Sequence, residues 1–296
     1  MAASGSPFDL DDTVAYRAWR DEKLARYPAG LEALVVEVRD PRRLTDAERG
    51  ALLDRFRRAN MAVYVSPLGE REDKEIVRLL GAQLGLLRLD HNLNADEDAI
   101  TPLRVAEEGP RRGYIPYTSR PIDWHTDGYY NPLDRQVRAF VLHCVFAARE
   151  GGANALLDPE IAYIWLRDRD PEWVRALMAP DVMTIPASAD EGGEVRPERT
   201  GPVFLTAPDG RLHMRYTRRK RNIAWKAAPA VAAAVEFLVG ALESDSPFIF
   251  RARLEPGWGL VCNNVLHTRT AFSDGPDPSR RRLLYRGRFY DRIAET

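Results

Sequence analysis

The chain has 296 residues, 43 basic against 44 acidic side chains and 45% apolar content; that is enough to bury a sizeable core and ordinary for a globular protein. A net charge of -1 gives no general attraction for nucleic acid, and no apolar run reaches the roughly 18 residues that span a bilayer. Met1 to Pro7 lack a secretory pattern, and Cys144 and Cys262 lie in apolar strand-like runs where reduced thiols are expected, so the reading is a cytoplasmic protein.

Along the chain, residues 12–27 read as an opening helix and 34–38 as a first strand. Thr45 and Glu48 form a Thr-x-x-Glu capping box ahead of the stripe Leu52, Leu53 and Phe56, with Asn60 placed to close that helix. Residues 61–65 read as a strand, 67–69 as a turn and 75–84 as a second amphipathic helix. Between Asp90 and Asp123 the pattern dissolves into a polar, proline-punctuated stretch, predicted to be an irregular lid over a site.

From Trp124 onward strand-like runs dominate, at 137–147, 203–207, 212–217, 248–254, 259–263 and 283–290. Helices interrupt them where Asp158 precedes Pro159, where Asp170 precedes Pro171, and from Pro229 to about Leu242. Loops are expected at 186–201 and 273–279, and the basic run Arg218, Arg219, Lys220 and Arg221 reads as a solvated loop, with a phosphate or acidic partner as the other reading. No internal repeat or linker divides the chain, which predicts a single α+β domain over residues 1–296: a helix–strand part (about 1–90), the lid (about 90–123) and an antiparallel β core with flanking helices.

Within that core, Trp124-His125-Thr126-Asp127 sets an imidazole and a carboxylate two residues apart, on one face if the segment is extended. A lone His-x-acid pair is weak evidence. His267, after the apolar run 258–262 and Asn263-Asn264, supplies a third donor, and two imidazoles with one carboxylate leave open positions that suit ferrous iron activating oxygen. Zinc accepts the same donors. His143, inside an apolar run, reads as a buried core histidine; His91 and His213 have no partner that would make them ligands.

Further on, Arg282, Leu284, Arg286 and Arg288 would share a strand face, so at least one guanidinium should point inward, where it needs an anion. A dicarboxylate co-substrate would supply one.

These residues resemble the taurine dioxygenase (TauD/TfdA) family of iron(II) and 2-oxoglutarate dependent oxygenases: Trp-His-Thr-Asp at 124–127, Gly151-Gly152 followed by a polar residue, Asn-Asn-Val-Leu-His at 263–267 and the arginine strand at 282–288. The resemblance implies a double-stranded β-helix, or jelly roll, with His125, Asp127 and His267 as catalytic iron ligands. It implies Arg282 on the distal carboxylate of 2-oxoglutarate, with Arg281 as a substitute, and Asn154 where the family usually has a threonine or serine touching the co-substrate. It also implies Arg286 on an acidic group of the substrate. Trp124, Tyr129 and Tyr130, near the metal motif, read as aromatic contacts for the substrate, with plain core or loop packing as the other reading. The expected chemistry is hydroxylation of a small polar, acidic molecule using O2, with release of succinate and carbon dioxide. The rivals are a zinc hydrolase on the same three ligands and an inactive small-molecule binding protein on the same fold. No nucleic acid or membrane partner is expected, and self-association, pathway and substrate identity stay open.

Overall fold

The computed structural model describes residues 5–91, 96–109, 111–189, 195–219 and 223–296. Local signals set the helices. Asp12 caps α1 (Thr13–Arg26); the Thr45–Glu48 box forms in full at the start of α2 (Asp46–Ala59), which Asn60 closes in the left-handed conformation; α3 spans Glu75–Gln83. Asp158 and Asp170 each accept an amide hydrogen bond ahead of a proline, opening α4 (Pro159–Arg169) and α5 (Pro171–Leu177), and α6 runs Pro229–Glu243.

The strands form a six-stranded sheet in the order Val35–Glu37, Met61–Val65, Trp258–Cys262, Ala139–Phe146, Leu283–Phe289, Ile100–Leu103. A four-stranded sheet has the order Phe250–Ala252, Asn154–Leu157, Leu266–Arg269, Ile122–His125. All pairs are antiparallel except the first of the larger sheet, which is parallel. Alternation along the strands splits the core in two. Val141, Val145, Val261 and Phe289 face outward onto Leu52, Phe56, Val77 and Leu80 of α2 and α3, whereas Phe140, Leu142, Cys262 and Leu284 face inward onto Leu156, Leu266 and Phe250 of the smaller sheet, with α4 to α6 packed beyond.

Two expectations change. Ile100–Leu103, expected to be irregular, is an edge strand paired with Leu284–Gly287, and the expected loop at 186–201 carries the short strand Arg199–Gly201 against Met183–Ile185. Lys220 and Arg221 of the basic run lie outside the described residues, as does part of the expected lid (92–95 and 110). Among the described residues no helix is long and apolar enough to cross a membrane.

Candidate metal centre and its cavity

The smaller sheet brings the distant histidines together. His267 pairs in register with His125, their rings lie 4.2 Å apart, and a bulge follows at Arg269. Asp127, two residues beyond His125, reaches the same point, so that one donor atom from each of the three lies within 4.8 Å of the others.

Each imidazole is oriented by its own chain. His125 Nδ1 donates to the Asp123 carbonyl and His267 Nδ1 to that of Val265, both at 2.9 Å. This fixes the tautomer in which Nε2 carries a free lone pair. Burial, reinforced by the facing His267, pushes the His125 pKa down to about 3, and burial lowers His267 likewise, so both rings are neutral. Burial alone would raise the Asp127 carboxyl, but the Arg286 and Arg288 guanidiniums outweigh it and hold Asp127 ionised. Two neutral imidazoles and a carboxylate, all deprotonated and aimed at one point, fit a divalent transition metal.

Asp127 itself is held by a residue whose role sequence reasoning missed. Asn264, in the left-handed region at φ 50°, accepts from the Asp127 N–H at 2.8 Å and donates to the carbonyls of Asp127 (2.9 Å) and Val137 (2.6 Å). The signal was present in the Asn-Asn pair before His267, since asparagine is among the few residues that adopt this conformation readily.

The three donors open into a cavity of about 510 Å³ lined also by Tyr129, Tyr130, Asn154, Arg282 and Arg286. Trp124 is elsewhere: it packs in the hydrophobic core and does not line the cavity. Arg282 is 4% exposed, lies 4.8 Å from the Phe272 ring and has no carboxylate partner among the described residues; burial lowers its pKa to about 10. Arg281 points the other way, to an exposed pair with Glu107. Gly151 and Gly152, at φ 73° and 74°, let the chain pass close by: a Cβ on Gly151 would sit 2.0 Å from the Ala271 carbonyl oxygen, and one on Gly152 3.4 Å from Arg282 Nε. Asn154 donates to the Thr268 carbonyl at 2.6 Å.

The remaining inward arginines have internal acceptors. Arg286 Nη1 lies 3.2 and 3.3 Å from the two oxygens of Asp127, while Arg288 pairs with Asp90 and donates to the Tyr130 hydroxyl. Arg269, another residue missed from sequence, donates to the carbonyls of Ile115, Pro116, Thr118 and Arg120 and so ties down the segment in front of the first ligand.

The sequence matches the family described as "Taurine catabolism dioxygenase TauD, TfdA family" over residues 20–287. Two relatives named uridine-5'-phosphate dioxygenase are each 32% identical. The Amycolatopsis sp protein matches over 55% of this chain and 60% of its own length, the Streptomyces sp protein over 66% and 70%. Among solved structures, asparagine oxygenase in complex with Fe(II), 3-hydroxyasparagine and succinate superposes with a TM-score of 0.60 at 17% identity, covering 98% of this chain and 86% of that one. The non-heme iron oxygenase OrfP, with Fe, succinate and 3-hydroxy-arginine, gives 0.63 at 15% identity, covering 84% and 82%. These two show a shared fold.

Proposed function

Because the chain belongs to the TauD/TfdA dioxygenase family, we propose that it is an iron(II) and 2-oxoglutarate dependent dioxygenase that hydroxylates a small anionic molecule, with His125, Asp127 and His267 as the iron ligands. The observation that carries this reading is a three-donor cluster with Arg282 buried in the same cavity and lacking a carboxylate. Zinc would accept the donors, but a hydrolase has no use for a buried cation awaiting an acid. The two sheets sharing one core support reading the whole chain as a single domain on a double-stranded β-helix.

Iron(II), with 2-oxoglutarate and O2 as co-substrates, supplies the oxidising chemistry. The protein's part is binding and orientation. Arg282 takes the distal carboxylate of 2-oxoglutarate through its planar fork, with Asn154 lining the same cavity and Gly152 leaving room beside the guanidinium. Arg286 keeps Asp127 ionised and turned toward the metal through Nη1, a commitment that leaves the substrate's acidic group to other cations of the site. Tyr129 and Tyr130 wall the substrate space, and Ile115, Pro116 and Pro121 cover it against water. The name shared by the two relatives makes a nucleoside 5'-monophosphate the first substrate class to test.

Anaerobic addition of Fe(II) and 2-oxoglutarate tests the reading: a weak visible charge-transfer band is expected in wild type and not in Arg282→Ala at the same co-substrate concentration. A wild type that binds Zn(II) yet gives no band would overturn it.

A further inference from the structure

Six arginines line the cavity, and their acceptors can be followed one by one. Arg269 is committed to backbone carbonyls, Arg286 to Asp127, Arg288 to Asp90 and Tyr130, and Arg218 to Glu243 and Asp123. Arg282 is assigned to the co-substrate, which leaves Arg219. It is exposed, two residues past the bridge that joins Thr217 to His125, and among the described residues no carboxylate pairs with it. Its guanidinium lies instead 5.7 Å from the centroid of the Tyr129 ring.

A second arginine repeats the arrangement on the neighbouring tyrosine. Arg196 sits 5.0 Å from the Tyr130 ring centroid, has no ion pair among the described residues, and has a buried Nε with no hydrogen-bond partner. The two tyrosine rings meet edge to face at 5.2 Å, so both guanidiniums rest on one aromatic pair. Burial raises the Tyr129 pKa, and the charges of Arg219 and Arg196 oppose that rise. Stacking on an aromatic face fixes the plane of a guanidinium and leaves its N–H edge available. One such edge suits a carboxylate; a second guanidinium on the adjoining ring adds the donors and charge that suit the three oxygens of a phosphate monoester.

We propose that Arg219, which lines the cavity on Tyr129, and Arg196, behind it on the adjoining cavity-wall residue Tyr130, form a clamp that holds the phosphate group of a phosphomonoester substrate. The clamp rests on the dioxygenase reading above and adds to it the residues that select the substrate's charge.

Isothermal titration of protein loaded with Mn(II), which fills the metal site without turnover, tests the clamp with 2-oxoglutarate, uridine 5'-phosphate, uridine and inorganic phosphate as probes. Uridine 5'-phosphate should bind at least about tenfold more tightly than uridine. Arg196→Ala and Arg219→Ala should each weaken the nucleotide by about tenfold, the loss expected for a charge-assisted hydrogen bond, while uridine and 2-oxoglutarate affinities stay put; the latter doubles as a check on folding. Lysine at either position should restore part of the loss. Equal binding of nucleotide and nucleoside, no binding of either phosphate compound, or unchanged nucleotide affinity in both variants would overturn the clamp while 2-oxoglutarate still binds. Failure of 2-oxoglutarate to bind the metal-loaded wild type would overturn the dioxygenase reading and the clamp with it.

Discussion

Asn264 shows how much of the centre depends on a side chain that touches neither metal nor substrate. Its left-handed backbone costs an ordinary residue roughly 1 to 2 kcal/mol, a strain offset by its three hydrogen bonds to the Asp127 and Val137 backbones. We predict that Asn264→Ala keeps the strain and loses the bonds, lowering stability by about 2 to 3 kcal/mol and weakening Fe(II) binding because Asp127 is no longer held. Asn264→Gly should recover part of the stability and none of the metal affinity. Melting curves with Fe(II) titrations check this, and unchanged iron affinity in both variants would mean that Asp127 is positioned without Asn264. Removing a ligand directly, in His125→Ala, Asp127→Ala or His267→Ala, should abolish tight iron binding, whereas His143→Ala should keep it. For Arg282→Ala we expect a loss of roughly 3 to 5 kcal/mol in 2-oxoglutarate affinity, the usual cost of stranding one partner of a buried charged pair; if the loss appears in Arg281→Ala instead, the exposed pair with Glu107 is not its resting state.

Elements differ in how openly the sequence announces them. The caps at Thr45, Asp158 and Asp170 were legible because each helix start is decided within a few residues, and all three form as expected. The metal motif was legible for a related reason, since His125 and Asp127 are neighbours and His267 follows a recognisable strand. Strands Asn154–Leu157 and Ile100–Leu103 were not, because four residues carry too little periodicity and their pairing is decided by partners far along the chain. Arg269 was invisible on the same grounds: its acceptors are backbone carbonyls about 150 positions earlier, which no side-chain pattern marks. Its four bonds make residues 115–120, at the end of the expected lid, a tethered wall. We predict that Arg269→Ala speeds hydrogen exchange at 115–120 and weakens substrate binding more than iron binding. Exchange there that matches wild type would show the segment is held by its own packing.

Across the whole molecule the two faces of the larger sheet carry different burdens: the inner face builds the cavity, and the outer face, under α2 and α3, carries stability. His143 lies on that outer side, fully buried, with its Nδ1 2.8 Å from the Tyr64 hydroxyl and, among the described residues, no partner for Nε2. Burial pushes its pKa down to about 4, and the nearby Asp73 carboxylate opposes this only in part. In the unfolded chain the ring titrates near 6.5. The folded value is therefore the lower one, so the stability contributed by the neutral ring is complete above the unfolded pKa and drains away as the pH falls toward the folded pKa, because the unfolded state takes up the proton first. Between pH 7 and pH 5 this single group should remove about 2 kcal/mol of stability. Glutamine at this position can still meet the Tyr64 hydroxyl but does not titrate. We predict that His143→Gln narrows the difference in unfolding free energy between pH 7 and pH 5 by about that amount, the contributions of His213 and the metal-site histidines cancelling in the comparison. Denaturant melts of both proteins at the two pH values measure it, and an equal pH dependence would place the acid sensitivity of the fold elsewhere.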